Sequence, residues 1–110
     1  MDVTASLIKL KPNSLARVDE WAETINRRQA EALATLKDEG VELESWFYVQ
    51  VEGSDYLLCF MRSESMTKAT EAAGRSEHEI DAYHHQFKAD TWVRGGVVTG
   101  KLLVDLNLKG

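Results

Sequence analysis

The side chains best suited to chemistry lie on two helical stripes. Ile80, Tyr83, His84, Phe87 and Thr91 recur at i, i+3, i+4, i+7 and i+11, so one helix face carries them all. His84 and Tyr83 are the polar groups of that inward face. An imidazole exchanges protons near neutral pH, and a phenol hydroxyl orients a substrate or stabilises developing charge. The same histidine can equally be a core-edge side chain bonded to a backbone carbonyl. On the other stripe, Leu15, Val18, Ala22, Ile25, Ala32 and Leu36 form an apolar line, and Gln29 falls about 20° from its middle at 100° per residue. A buried amide left without a partner costs about 1–3 kcal/mol. Gln29 therefore either touches a ligand in a cleft or bonds to a strand edge. Arg28 lies beside Trp21, seven residues earlier, as a cation on an aromatic or an anion-binding group. If Gln29 and His84 face one cleft, two polar intrusions converge there, with Arg28, Trp21 and Phe87 as further ligand-binding candidates.

Other chemistry is disfavoured. His78, Asp81 and His85 share a helix face at i, i+3 and i+7, but the outer two stand about 10.5 Å apart along the axis, far for one ion. A solvated face is the expected reading, with no metal. Gly95-Gly96 with Gly100 lacks the lysine and hydroxyl end of a phosphate loop. Cys59 sits among Leu57, Leu58 and Phe60 as an inert thiol. No cofactor is expected.

These groups need elements to hold them. Val3–Lys11 reads as a strand stopped by Pro12, and Asn13 or Ser14 caps a helix from Leu15 to Glu39, closed by Gly40. Val41–Glu52 alternates, with Val41, Leu43, Phe47, Val49 and Val51 on one face and Glu42, Glu44, Trp46, Tyr48 and Gln50 on the other. A Gly53-Ser54-Asp55 turn leads into a strand over Tyr56–Arg62. Ser65 caps a helix to Ala73, and Ser76 with Glu79 forms a capping box for a second helix to about Trp92. Val93–Gly96 reads as a loop, and Lys101–Leu108 as the last strand. The order β-α-β-β-α-β predicts an α+β, ferredoxin-like domain over residues 1–110: a four-stranded antiparallel sheet with its helices on one face.

Composition narrows the partners. The 110 residues carry 13 Lys+Arg and 18 Asp+Glu, a net charge of −5, which disfavours nucleic acid and membrane surfaces. No apolar stretch suits a membrane span, and the N-terminus has no signal-peptide core, so a cytoplasmic protein is expected. Helices cover one sheet face only, which leaves large residues, Trp46 and Tyr48 among them, on the expected open face. A homodimer with facing sheets would bury them.

The element order, the long first helix, the divided second helix and the aromatic hairpin together resemble the dimeric α+β barrel superfamily. The span from LKDEGVELESWFYVQVEGSDYLLCFM to HHQFKADTW is similar in layout to sugar mutarotases and cofactor-free monooxygenases, and most of all to a domain-of-unknown-function family. That resemblance implies a cleft between sheet and helices. The expected function is binding of a small polar or aromatic molecule there, with isomerase- or mutarotase-like proton transfer. His84 would be the acid/base, Tyr83 the orienting hydroxyl, and Gln29 and Arg28 the donors. A non-catalytic ligand-binding or stress-associated dimer, and a cofactor-free monooxygenase, stand as alternatives.

Overall fold

The two strands with the most buried residues lie at the centre of the sheet. β1 (Asp2–Leu10) and β3 (Ser54–Ser63) pair antiparallel, with Leu7 opposite Leu58 and Ile8 opposite Leu57. β2 (Val41–Val51) flanks β3, and β4 (Trp92–Thr99) flanks β1, giving the antiparallel order β2-β3-β1-β4. The computed structural model describes residues 1–109. Its four helices are α1 (Leu15–Arg27), α2 (Gln29–Glu39), α3 (Met66–Gly74) and α4 (Glu79–Thr91). This is the expected ferredoxin-like sheet. Ile8, Leu10, Leu57 and Cys59 of the sheet meet Val18 and Trp21 of α1 and Phe87 of α4 in one buried core. Among the described residues no helix is long and apolar enough to cross a membrane.

Local chemistry explains most boundaries. Gly40 ends α2 at φ +70°, its N–H bonded to the Leu36 and Lys37 carbonyls, a left-handed cap that glycine adopts without a Cβ clash. Ser65 Oγ accepts from Lys68 N at the start of α3, as expected. The hairpin turn is Glu52-Gly53 rather than Gly53–Asp55. Both residues have positive φ and Val51 faces Ser54, the mirror-image turn whose twist matches the strands.

Several expectations are corrected. The helix expected over 15–39 is two, because Arg28 leaves helical geometry at φ −103°, ψ 38°. Its carbonyl starts α2, accepting from Glu31 N and Ala32 N, while its guanidinium grips the Glu31 carboxylate. Ser14 stands before α1 without a side-chain cap; only its carbonyl bonds, to Val18 N. The Ser76–Glu79 box does not form, since Ser76 Oγ accepts from His78 N and α4 begins at Glu79. Val93–Gly96 is strand, not loop. The ladder with β1 shifts between Ile8 and Leu10, and Gly95 at φ +74° supplies the irregular backbone of that bulge. Lys101–Leu108 forms no strand and pairs with nothing in the sheet, and its leucines stand in solvent. Finally, Trp46 faces the helices, edge-on to Trp21 at 5.3 Å. The open face instead carries Phe47, 54% exposed, with Phe60, Leu43 and Val98.

Candidate functional site

The space between the sheet and the helices is not filled. A cavity of about 470 Å³ and another of about 270 Å³ adjoin, sharing Thr35, Leu36, Glu44, Trp46, Asp81 and His84 as walls. Gln29 and Trp21 line the smaller. Lys88, Glu39 and the aromatic Trp92 line the larger, which reaches the sheet at Cys59 and Met61. His84 lies mid-way along α4 on the face turned inward, while Gln29, expected as a buried amide, is an exposed residue at the start of α2 that lines the smaller cavity.

His84 is held tightly. Trp21 Nε1–H donates to its Nδ1 at 3.0 Å, and the two rings stack at 5.8 Å and 26°. Trp21 in turn stacks on the fully buried Phe87 at 4.5 Å. Trp46 stands edge-on to His84 at 5.5 Å. Because an indole N–H can only donate, Nδ1 must be the acceptor, and the imidazole proton sits on Nε2. Burial pushes the His84 pKa down to about 3, with Lys88 and His85 adding to the effect. His84 is therefore a neutral hydrogen-bond donor at neutral pH, with its one basic nitrogen already occupied.

The carboxylates behave in the opposite sense. Burial raises Glu39 to about 7, helped by Asp81 and Glu44, and burial also raises Glu44, against the opposing pull of Trp46 and Lys88. Asp81 Oδ2 is buried without a hydrogen-bond partner. A carboxyl group poised near neutral pH can both take and give a proton. Glu39 is such a group in the larger cavity, Glu44 is a carboxylate raised by burial that lines both cavities, and His84 Nε2–H is a donor beside them.

The other expected site residues are placed elsewhere. The Tyr83 hydroxyl bonds to Arg17, Glu20 and Thr24 of α1 at 3.1–3.4 Å, so Tyr83 clamps two helices and lines neither cavity. Arg28 pairs with Glu31 at 2.5 Å rather than with Trp21. The cations on aromatics are Arg17, 5.2 Å from the Tyr83 ring centroid and 5.5 Å from that of Phe87, and Lys88, 5.0 Å from that of Trp92. Phe87 supports Trp21 from within the core. His78 bonds Asp38 at 2.6 Å at the rim of an outer basin, while His85 lines the larger inner cavity. Those two histidines do not converge. Burial pushes the Cys59 thiol up to about 12, which keeps it protonated.

Sequence reasoning missed Glu44 and Glu39. Glu44 shares its strand parity with Trp46, and that pairing of a carboxylate with an inward aromatic was the available signal. Glu39, the last residue of α2, carried no such signal.

The model of DUF6176, described as a family of unknown function, matches residues 1–108. No curated protein matches the chain. Among solved structures, Rv0793 from Mycobacterium tuberculosis is similar at 17% identity and a TM-score of 0.55, covering 96% of this chain and 97% of that one. An uncharacterized NIPSNAP-like domain protein from Burkholderia xenovorans is similar at 17% identity and a TM-score of 0.58, covering 96% and 85%. At such identity these two likenesses speak for the fold, and they agree with the ferredoxin-like arrangement described above.

Proposed function

The chain belongs to DUF6176, and we propose that it binds a small polar or aromatic molecule between its sheet and helices and transfers protons on it without a cofactor. One observation carries the reading: Glu44, Trp46 and His84 wall two adjoining cavities, with Gln29 opening into one and Glu39 into the other. The indoles offer flat apolar surface, and the polar groups offer both donors and acceptors. In an isomerisation of mutarotase type, one carboxylate takes the hydroxyl proton of a cyclic hemiacetal. The other, in its acid form, protonates the ring oxygen as the ring bond breaks, and reclosure on the other face reverses both transfers. His84 Nε2–H and the Gln29 amide hold the oxygens in place. This assignment moves the acid/base role from His84 to the carboxylates and leaves Tyr83 and Arg28 as structural supports.

We further infer a homodimer formed through the open sheet face, because Phe47, Phe60 and Val98 make an apolar surface there. A cytoplasmic location accords with a single buried, unpaired Cys59.

The test combines thermal shift with NMR exchange between sugar anomers, using reducing aldoses and small phenols as probes. Glu44→Gln should abolish exchange while retaining affinity, and His84→Ala should weaken both. Loss of affinity in both variants, with no exchange in the parent, favours a ligand-binding dimer without chemistry. If no probe shifts the melting temperature of the parent, the cavity is not a binding site for this class.

A further inference from the structure

The charges around the two adjoining cavities do not balance. Glu44 and Asp81 wall both cavities, and Glu39 walls the larger. Among the described residues, one lysine and no arginine stand against these three carboxylates. That lysine, Lys88, lines the larger cavity alone and lies over the Trp92 ring at 5.0 Å. The smaller cavity has no lysine or arginine in its wall, and the His84 that it shares is uncharged at neutral pH.

Asp81 sharpens the imbalance. It lies in the first turn of α4, and its Oδ2 is buried without a hydrogen-bond partner. A buried carboxylate oxygen costs free energy unless something donates to it. The charge of Asp81 also adds to the rise that burial imposes on Glu39 and Glu44. One ammonium group among the three satisfies the oxygen and relieves the repulsion.

The walls suit an organic cation better than a bare ion. Among the described residues no three His, Cys, Asp or Glu side chains converge as metal ligands do. Trp46 instead lines both cavities and Trp21 the smaller, and indole is the aromatic face that draws a cation most strongly. Volumes of about 270 and 470 Å³ admit a single sugar or phenyl ring.

We propose that the guest of this chamber is a small ring compound carrying a protonated amine, received by Asp81 with Glu44 and Trp46 beside it. The inference rests on the ligand-binding reading above and narrows its guests to amino aldoses on the sugar side and arylalkylamines on the aromatic side. Phosphorylated and carboxylated rings are repelled by the same charges.

The experiment is calorimetry on the full chain at neutral pH, with probes paired by shape and differing in charge. Glucose and glucosamine form one pair, para-ethylphenol and tyramine the other, and N-acetylglucosamine keeps the nitrogen without the charge. In at least one pair the amine should bind about tenfold more tightly, and the preferred pair tells sugar from arylalkylamine. Asp81→Asn should erase that advantage and leave the neutral partner's affinity unchanged, with circular dichroism as the check on folding. In the parent, the Asp81 carboxyl carbon-13 resonance should move with the amine only, and Overhauser contacts should join the guest to Trp46, which lines the inner cavities and not the outer basin. Equal affinity within both pairs overturns the proposal and leaves the binding reading standing. A parent that binds no probe overturns both. An advantage that survives Asp81→Asn, an unmoved Asp81 resonance, or guest contacts to Ala72 and Arg75 of the outer basin overturns the assignment to Asp81 and this chamber.

Discussion

The indole N–H of Trp21 donates to Nδ1 of His84 at 3.0 Å, so a residue of α1 decides which nitrogen of an α4 histidine carries the proton. Trp21→Phe keeps a ring in the core but leaves Nδ1 without its donor. The loss should destabilise the fold by about 1–3 kcal/mol, the cost of an unsatisfied buried acceptor. Nitrogen-15 NMR should show His84 wholly as the Nε2–H form in the parent and as a mixture in the variant. A parent spectrum of the Nδ1–H form contradicts the assignment.

Stability should respond to pH through two opposed groups. His84 falls from 6.5 to about 3 on folding, so its contribution is full above pH 6.5 and is lost as pH drops toward 3. Glu39 rises from 4.5 to about 7, so its contribution is full below pH 4.5 and is lost as pH climbs through 7. Between pH 4.5 and 6.5 the slopes oppose, with His84 on the order of 2 kcal/mol and the half-exposed Glu39 on the order of 1 kcal/mol. Denaturant titration of Glu39→Gln over that range should show a steeper fall toward acid than the parent. Identical slopes would remove Glu39 from the account.

The hairpin turn holds a correctable strain. Glu52 sits at φ +49°, where a side chain such as glutamate is disfavoured and asparagine is tolerated. Glu52→Asn should stabilise the protein by about 1 kcal/mol, seen as a higher urea midpoint with an unchanged slope. A lower midpoint means that Glu52 makes a compensating contact.

Cys59 should be silent. With its thiol buried and pushed up to about 12, a disulfide reagent at pH 8 should label it only after denaturant is added. Rapid labelling of the native protein would mean that the larger cavity opens to solvent.

Much of the fold is legible because alternation and capping are local signals. Val41–Glu52 announces a strand by its alternation and Tyr56–Arg62 by its unbroken apolar run, and Gly40 marks a helix end. The failures share a cause, which is that the deciding partner is distant in sequence. Gly95-Gly96 looks like a loop until β1 is seen to absorb the irregularity as a bulge. Leu102–Leu108 looks like a strand because its pattern is one, but no edge of its own sheet takes it. The break at Arg28 has neither proline nor glycine to betray it. For the site, helical phase put His84 on the inward face of α4, whereas Gln29, phased on one unbroken helix, is exposed because the helix restarts after Arg28, and the face of Glu44 depended on which side of β2 the helices cover. Alternation cannot answer that.

The joint at Arg28 also divides the cavity wall into unequal parts. α1 is fastened to the core through Val18 and Trp21, while α2 buries only Thr35. The chamber thus has two kinds of wall: α1 carries the indole that fixes the histidine, and α2 starts afresh after the single non-helical residue Arg28. A substitution that alters the angle between these two helices alters the space between them and the sheet, whereas the Trp21–His84 bond belongs to α1 and α4 alone.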